Sequence, residues 1–182
     1  MAGSITPVHR KPRIVLGACG CAAALDFPRL CRSFLNWAEV KAVGTPDGFK
    51  YVEHVAMPVG VSLLIKDDWK SFHDPVLHRH LAAWADALVI APLSANTLSK
   101  IDAGLCDNLL TDIVRAWDCG KPLFVAPAMT YMTWKNTITK KSIESIRQHG
   151  IKVIGPAESG GMAEIYSIVD KVKSDLWILS VN

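Results

Sequence analysis

The sequence lacks any long hydrophobic run, so we expect no membrane-spanning helix. Its longest apolar stretch, residues 87–93, is far shorter than the ~20 apolar residues that such a helix needs. We predict that this stretch is a buried strand. The N-terminal residues are polar and contain no apolar h-region, so we expect no secretory signal.

The sequence also lacks a strong excess of charge of one sign, and its cysteines do not form an even set. The formal net charge is only +3 and no basic run occurs, so we expect no nucleic-acid partner. The five cysteines are odd in number, and no second pair follows Cys19 and Cys21 at the spacing of a zinc site. We therefore expect reduced thiols in a cytoplasmic protein, with no structural disulfide and no metal site.

What the sequence does contain is enough apolar material for a packed core. Half of its 182 residues are hydrophobic and one fifth are charged, a composition that disfavours disorder. The length suits one compact α/β domain. We expect that domain over residues 11–182, after a flexible N-terminal segment of residues 1–10, and we find no internal repeat or linker.

Short apolar runs predict the strands. Five runs are too short for typical helices and are typical of buried strands: residues 13–18, 39–43, 86–91, 122–126 and 152–155. A sixth, short strand is predicted over residues 62–65. Residues 46–74 are otherwise the least regular part of the sequence, because they contain Gly48, Pro58 and Gly60.

Stretches of helical length separate these strands. Helical patterns cover residues 22–37, 94–117, 139–149 and 164–179, the second being broken into two helices near Gly104. Gly150 is a helix stop. Strands that alternate with helices imply a mainly parallel sheet with right-handed crossovers.

Three small-residue segments follow predicted strands and mark the candidate site. They are residues 17–23, 91–97 and 126–130. In open parallel sheets, ligands bind beyond the carboxyl ends of the strands. Small residues let backbone amides approach a ligand, and helix N-termini favour an anion. The pattern predicts a phosphate-bearing cofactor or substrate; the alternative is that these are ordinary tight βα turns.

Several long motifs occur in order in the second half of the chain and carry a resemblance. They read Asp74-Pro-Val-Leu-His78, Trp84-Ala-Asp, Ile90-Ala-Pro-Leu-Ser-Ala-Asn-Thr97, Gly104-Leu-Cys-Asp-Asn-Leu-Leu110, Arg115-Ala-Trp-Asp118, Lys121-Pro-Leu-Phe-Val-Ala-Pro-Ala-Met129 and Gly161-Met-Ala-Glu164. Together they resemble the phosphopantothenoylcysteine decarboxylases, and among these the plant halotolerance flavoproteins. The resemblance runs from about residue 11 to about residue 176.

That resemblance implies a fold, a cofactor and a reaction. The fold would be a flavodoxin-like Rossmann three-layer sandwich with a mainly parallel sheet, assembled as a homotrimer with FMN near the subunit interfaces. The activity would be that of a carboxy-lyase of coenzyme A biosynthesis, acting on a small-molecule or peptide cysteine conjugate. In such enzymes the flavin oxidises the cysteine thiol, the carboxylate leaves as carbon dioxide, and an enethiolate remains.

The resemblance also assigns site residues. His78 matches the family's catalytic histidine; its alternative is a packed, structural histidine. The residues matching the FMN site are Gly20, Cys21, Thr45, Ser94, Asn96, Thr97, Ala128 and Met129. The residues matching the substrate site are Asn96, Thr130, Met162, Ala163 and Glu164. Asp107 and Asn108 match too, and serve equally well as a helix cap and subunit contact.

Two departures from the family pattern concern the cofactor. Cys19 and Cys21 replace two serines after the first strand, and a thiol is a weaker hydrogen-bond donor than a hydroxyl. Thr45-Pro-Asp-Gly48 replaces a threonine followed by serines, so that Asp47 places a negative charge where a phosphate would sit. We therefore expect the FMN phosphate to be held less tightly, or no longer held.

Two further departures concern the substrate. Thr130 replaces an asparagine expected to grip the substrate's carboxylate or amide. Residues 156–162 are too few to hold the family's flap with its catalytic cysteine, and no cysteine follows Cys119.

Three functions therefore remain open from the sequence. The first is an FMN-dependent decarboxylase of altered scope, which stops at the enethiol. The second is a flavin-independent enzyme that uses the same pocket with His78 and Thr130 or Tyr131. The third is a non-catalytic subunit that binds a protein partner, as some halotolerance relatives bind a phosphatase.

Overall fold

Six parallel strands form the centre of the protein. The computed structural model describes residues 10–66, 76–155 and 159–179, so the predicted flexible segment lies outside these residues except for Arg10. The strands are Arg13–Ala18 (β1), Glu39–Gly44 (β2), Leu63–Leu64 (β3), Ala87–Leu93 (β4), Leu123–Pro127 (β5) and Lys152–Val153 (β6). They form one sheet in the order β3-β2-β1-β4-β5-β6, which confirms the flavodoxin-like α/β fold.

Helices cover both faces of this sheet. A 3-10 helix spans Ala22–Asp26, and the α-helices are Phe27–Leu35 (α1), Pro46–Val52 (α2), Leu77–Trp84 (α3), Ala95–Ala103 (α4), Leu109–Arg115 (α5), Tyr131–Lys135 (α6), Thr137–Gln148 (α7) and Ile165–Leu179 (α8). None of the helices in the described ranges is both long enough and apolar enough to cross a bilayer.

Successive side chains of the central strands point to opposite faces of the sheet, so the core has two layers. Ile14 and Leu16 of β1 pack on the face covered by α1 and α8. Val15 packs on the other face, together with residues of α3, α4, α5 and α7. β4 is buried at every position, as its continuous apolar sequence predicts. Each large side chain buried here contributes about 1.5–3 kcal/mol.

The helices predicted from a long stripe of apolar residues are confirmed. Residues 94–117 do form two helices, and Gly104 ends the first one with a left-handed φ of 70°. Three short helices, α2, α3 and α6, were missed. The prediction that residues 46–74 are irregular was wrong for its beginning, because Thr45 caps α2 and Pro46 starts it.

The sheet order reverses between β1 and β4, and that reversal positions the candidate site. β2 lies on one side of β1, and β4 and β5 lie on the other. The connections that leave β1 and β4 therefore turn toward opposite sides and leave a crevice between them. The loop after β5 reaches the same edge, since all these strands are parallel.

Candidate functional site

A small cavity opens at the carboxyl edge of the sheet, where the sheet order reverses. Its volume is about 180 Å³. The residues lining it are Gly20, Thr45, Pro46, Asp47, Ser94, Asn96, Thr97, Lys100, Asp107 and Asn108. Five residues predicted for the cofactor or substrate site, Gly20, Thr45, Ser94, Asn96 and Thr97, are thus brought together from the turns after β1, β2 and β4.

Backbone hydrogen bonds tie these turns to one another. Cys19 N–H donates to the Pro92 carbonyl at 3.1 Å, and Thr45 N–H donates to the Ala18 carbonyl at 3.0 Å. The first bond joins the turn after β1 to the end of β4, and the second joins the turn after β2 to the end of β1. The cavity walls are therefore fixed by the sheet rather than by mobile side chains.

Two glycines allow α2 to approach the turn after β1. A Cβ atom on Gly48 would collide with the Ala18 carbonyl oxygen, and a Cβ atom on Gly20 would collide with the Cβ atom of Asp47. Glycine at both positions thus permits backbone contact between the two loops. The same contact places the Asp47 side chain at the cavity.

The hydroxyls of Ser94 and Thr97 serve the fold as well as the cavity. Ser94 is the N-cap of α4: its Oγ accepts from Thr97 N–H at 3.3 Å and donates to Thr97 Oγ1 at 3.2 Å. Both side chains are buried. Their predicted role in ligand binding is compatible with this geometry, since an oxygen keeps further acceptor capacity.

The two cysteines of the first turn differ in their environment. Cys19 is fully buried, and burial raises the pKa of its thiol to about 11, against hydrogen bonding with Thr97 and Ser94. Cys21 is only half-buried, and burial raises the pKa of its thiol as well. Of the two predicted serine replacements, Cys21 is thus the less buried one, but neither cysteine is among the residues that line the small cavity.

Two ion pairs set the electrostatics of the cavity. Asp47 Oδ1 lies 2.8 Å from Lys50 Nζ, and Asp107 pairs with Lys100. The hydrogen bond and charge of Lys50 lower the pKa of Asp47, and the hydrogen bond from Lys100 lowers the pKa of Asp107. Both carboxylates are therefore ionised at neutral pH. No sequence pattern pointed to Lys100, which reaches the cavity from the last turn of α4.

Asn108 has the structural role that the sequence left open. It is the N-cap of α5, where its Oδ1 accepts from Thr111 N–H at 3.2 Å in a capping box. Its amide also donates to Asp107 Oδ1 at 2.8 Å. Asn108 thus caps a helix and lines the cavity at once.

The loop after β5 lies beside the cavity and joins a second region. Ala128 N–H donates to the Leu93 carbonyl at 2.9 Å, and Met129 N–H donates to the Gly160 carbonyl at 3.0 Å. Thr130 is exposed and caps α6 by accepting from Thr133 N–H at 3.3 Å. None of these three residues of the loop lines the small cavity itself.

The predicted substrate residues 162–164 occupy a different place. Met162, Ala163 and Glu164 line a groove of about 1010 Å³ between α1 and α8. The bond between Met129 and Gly160 connects the start of this segment to the loop after β5. The structure therefore divides the predicted substrate residues between the cavity, its neighbouring loop and this groove.

His78 is half-buried in the first turn of α3, the helix that precedes β4. It does not line the small cavity, and Asp74 and Pro75 of its motif lie outside the described residues.

A flavin nucleotide has a planar ring at one end and a phosphate at the other, and these residues suit the ring better than the phosphate. Small residues, amides and hydroxyls around Ser94, Asn96 and Ala128 suit a planar polar ring. The same cavity also carries the carboxylates of Asp47 and Asp107, which suit a phosphate poorly. The cavity of 180 Å³ is also below the range of ~300–1,000 Å³ of ligand pockets, so the described residues of one chain enclose only part of such a ligand.

Comparisons with known proteins agree with this geometry. Residues 5–176 match the family model described as Flavoprotein. The chain is 50% identical over 176 residues to Phosphopantothenoylcysteine decarboxylase HAL3 of Malus domestica, covering 88% of this chain and 82% of the relative.

Two solved structures resemble it in both sequence and fold. One is described as "The FMN binding protein AtHal3", with 47% identity and a TM-score of 0.86 over 90% of this chain and 96% of that one. The other is a PPC decarboxylase mutant complexed with pantothenoylaminoethenethiol, with 47% identity and a TM-score of 0.87 over 92% of this chain and 99% of that one.

Proposed function

Because this chain belongs to the flavoprotein family, we propose that it is an FMN-dependent decarboxylase of a small-molecule cysteine conjugate. The observation that carries the proposal is the crevice at the sheet reversal, which gathers Gly20, Thr45, Ser94, Asn96 and Thr97 around one cavity. Half of the aligned residues are identical to those of a phosphopantothenoylcysteine decarboxylase, so phosphopantothenoylcysteine is the first substrate to test.

The carboxyl-edge loops would hold the cofactor. Ser94, Asn96 and Thr97 offer hydroxyl and amide groups at the start of α4, and the backbone of Ala128 and Met129 forms the neighbouring wall. Gly20, Cys21 and Thr45 would meet the end of the ligand that carries the phosphate. When bound, FMN supplies the two-electron oxidation of the substrate thiol.

The substrate would lie between the cavity and the loop after β5. Thr130, exposed at the start of α6, has a hydroxyl to offer the substrate carboxylate. His78, which matches the family's catalytic histidine, would hold or move the thiol proton. Met162, Ala163 and Glu164 would contact the remainder of the conjugate, in the groove that begins beside Gly160.

The product follows from the cysteines. All five lie at or before Cys119, so no thiol of the later chain can return a proton to the product. We therefore expect carbon dioxide and the enethiol, with the two electrons passed to the cofactor. A peptide ending in cysteine is the second substrate class to test.

The small size of the single-chain cavity supports an oligomer, and the family resemblance makes a homotrimer the oligomer to test. The described residues enclose about 180 Å³, and another copy of the chain would supply the remaining wall of a larger pocket. Light scattering on the purified protein tests this part of the proposal. The reduced cysteines support a cytoplasmic location, which imaging of a tagged chain tests.

The first experiment is a visible spectrum of the purified protein, repeated after incubation with FMN and desalting. We expect a retained flavin band, and then loss of carbon dioxide from phosphopantothenoylcysteine detected by mass spectrometry of the product. A protein that stays colourless after both steps contradicts the proposal. That result would favour a flavin-free activity of the same crevice or a partner-binding subunit.

A pair of histidine variants tests the assignment of His78. His78→Ala should keep the flavin band and lose decarboxylation. His80→Ala is the matched control, because His80 lies two residues further on the same helix and lines a different surface cavity. Equal activity of the two variants contradicts the catalytic role of His78.

A further inference from the structure

We propose that Asp47 is a specificity residue that disfavours phosphorylated flavins relative to uncharged riboflavin. The inference rests on the proposed function, because it concerns the flavin site. It goes beyond that function in stating which flavin the site prefers and which side chain decides.

The position of Asp47 is fixed by the backbone. Its Cβ atom lies directly against Gly20, at the place that a side chain on residue 20 would otherwise occupy. Gly48, the next residue, packs against the Ala18 carbonyl with equally little room. The carboxylate can change rotamer, but its stem cannot move away from the wall of the cavity without moving α2.

The cations of the cavity are already paired. Lys50 binds Asp47 at 2.8 Å, and Lys100 binds Asp107. Lys100, Asp47 and Asp107 line the cavity, and Lys50 pairs with Asp47 from outside the lining. The two positive and two negative charges cancel, so no positive charge is left over for a phosphate. An incoming phosphate would have to separate an ion pair before gaining a charge-assisted hydrogen bond.

Two of the nearby backbone donors are also engaged. Gly48 N–H donates to Thr45 Oγ1 at 3.0 Å, and Thr97 N–H donates to Ser94 Oγ at 3.3 Å. In each loop, the hydroxyl of the N-cap residue accepts a hydrogen bond from an N–H group in the first turn of the helix that follows. A phosphate would compete with these caps, whereas a neutral ribityl chain needs only weaker hydrogen bonds.

The closing experiment is a fluorescence titration of riboflavin and of FMN with wild-type protein and two variants. The wild-type protein should bind riboflavin at least as tightly as FMN. Asp47→Asn removes the repulsion and releases Lys50, so FMN affinity should rise about tenfold while riboflavin affinity changes less than about twofold.

Lys50→Ala supplies a test in the opposite direction. It leaves Asp47 without its nearest cation, so FMN affinity should fall while riboflavin affinity stays unchanged. Glu144→Gln is the matched control, since Glu144 forms a similar exposed pair with Arg147 on α7, outside the cavity. It should leave both affinities unchanged. Added salt should reduce each of these differences.

The outcomes separate this inference from the proposed function. If riboflavin and FMN both bind and Asp47→Asn leaves their affinity ratio unchanged, the role of Asp47 is contradicted and the flavin site stands. If FMN binds wild-type protein far more tightly than riboflavin does, the inference is likewise contradicted. If neither flavin binds any of the variants, the proposed function is overturned together with the inference.

Discussion

The two edges of the sheet use charged side chains in opposite ways. At the amino edge, Lys121 Nζ donates to three carbonyls near the end of α3, those of Ala82, Ala83 and Ala85, at 2.8–3.3 Å. At the carboxyl edge, Lys100 pairs with the exposed carboxylate of Asp107 at the rim of a cavity. One lysine completes a helix end, and the other borders a space for a ligand.

The carboxylates of the two edges differ in the same way. Asp86 is about one third exposed; it accepts two hydrogen bonds from Arg10 at 2.7 Å and one from Arg13 N–H at 2.8 Å. Asp47 is 63% exposed and has one lysine three residues away. The amino edge thus uses its charges to join distant parts of the chain. The carboxyl edge leaves charges that a ligand can meet.

The largest difference should appear when each lysine is replaced by methionine. Lys121→Met leaves three carbonyls without their shared donor, so the free energy of unfolding should fall by about 2–3 kcal/mol. Methionine keeps the apolar stem, so the loss isolates the ammonium group. Urea unfolding followed by circular dichroism measures it.

Lys100→Met is the matched control for that prediction. An exposed ion pair contributes little, so unfolding should change only slightly. Equal destabilisation by the two substitutions would show that the two edges do not differ in this respect.

The next largest effect should come from acid, which should destabilise the protein at the amino edge by protonating Asp86. Burial raises the pKa of this carboxyl, but hydrogen bonds from Arg10 and Arg13 N–H and the nearby cations outweigh it, so the pKa lies below its ordinary value. The folded protein therefore binds this proton less readily than the unfolded chain. The stabilisation is complete above about pH 4 and is lost as the pH falls through the folded-state pKa.

Asp86→Asn should lower the free energy of unfolding by about 1–2 kcal/mol at pH 7. Below pH 4 the difference between wild-type and variant protein should shrink, because both then carry a neutral side chain. Urea unfolding at several pH values gives both numbers. A difference that stays constant down to acid pH would contradict the assigned role of the charge.

The comparison of the edges also explains how far the sequence could predict the structure. Buried strands such as β4 were predictable, because a strand covered on both faces is apolar at every position. Gly104 marked a helix end because it takes a left-handed φ of 70°. Helix α2 was missed because it is short, and its capping threonine precedes a proline and a glycine that are equally typical of a turn.

The candidate site was predictable as far as strand ends determine it. Gly20, Thr45 and Ser94 follow strands, so a parallel sheet brings them to one edge. Lys100 reaches the cavity from the far end of α4, and Asp107 meets it from a loop; neither position follows from a strand end. The burial difference between Cys19 and Cys21 depends on packing against α4, which the sequence does not display.

Substitutions at Ser94 should have a smaller effect, and they distinguish its role as a helix cap from direct contact with the ligand. Ser94→Ala removes the N-cap of α4 and should cost about 1 kcal/mol of stability. Ser94→Gly should cost only a few tenths of a kcal/mol, because glycine is a tolerable N-cap. Both variants lose the hydroxyl, so both should bind flavin less tightly. If only the less stable variant loses flavin affinity, Ser94 acts through the helix and not through the ligand.

The smallest effect should come from the two cysteines, which test the comparison within the carboxyl edge itself. Cys21 is half-buried and follows Gly20, which lines the cavity, so Cys21→Ser offers a stronger donor and should raise flavin affinity a few-fold. Cys19 is fully buried and meets Thr97 and Ser94. Cys19→Ser should therefore leave flavin affinity unchanged and alter stability by about 1 kcal/mol or less.

A thiol reagent provides the independent readout for these two positions. With its pKa raised to about 11 and no exposed surface, Cys19 should not react in the folded protein at neutral pH. Exposed Cys106 and Cys119 should react first, and Cys21 more slowly. Mass spectrometry of the labelled peptides identifies each site. Rapid labelling of Cys19, or a gain in flavin affinity in Cys19→Ser equal to that in Cys21→Ser, would mean that both thiols face the ligand and that the first turn is open to the cavity along its whole length.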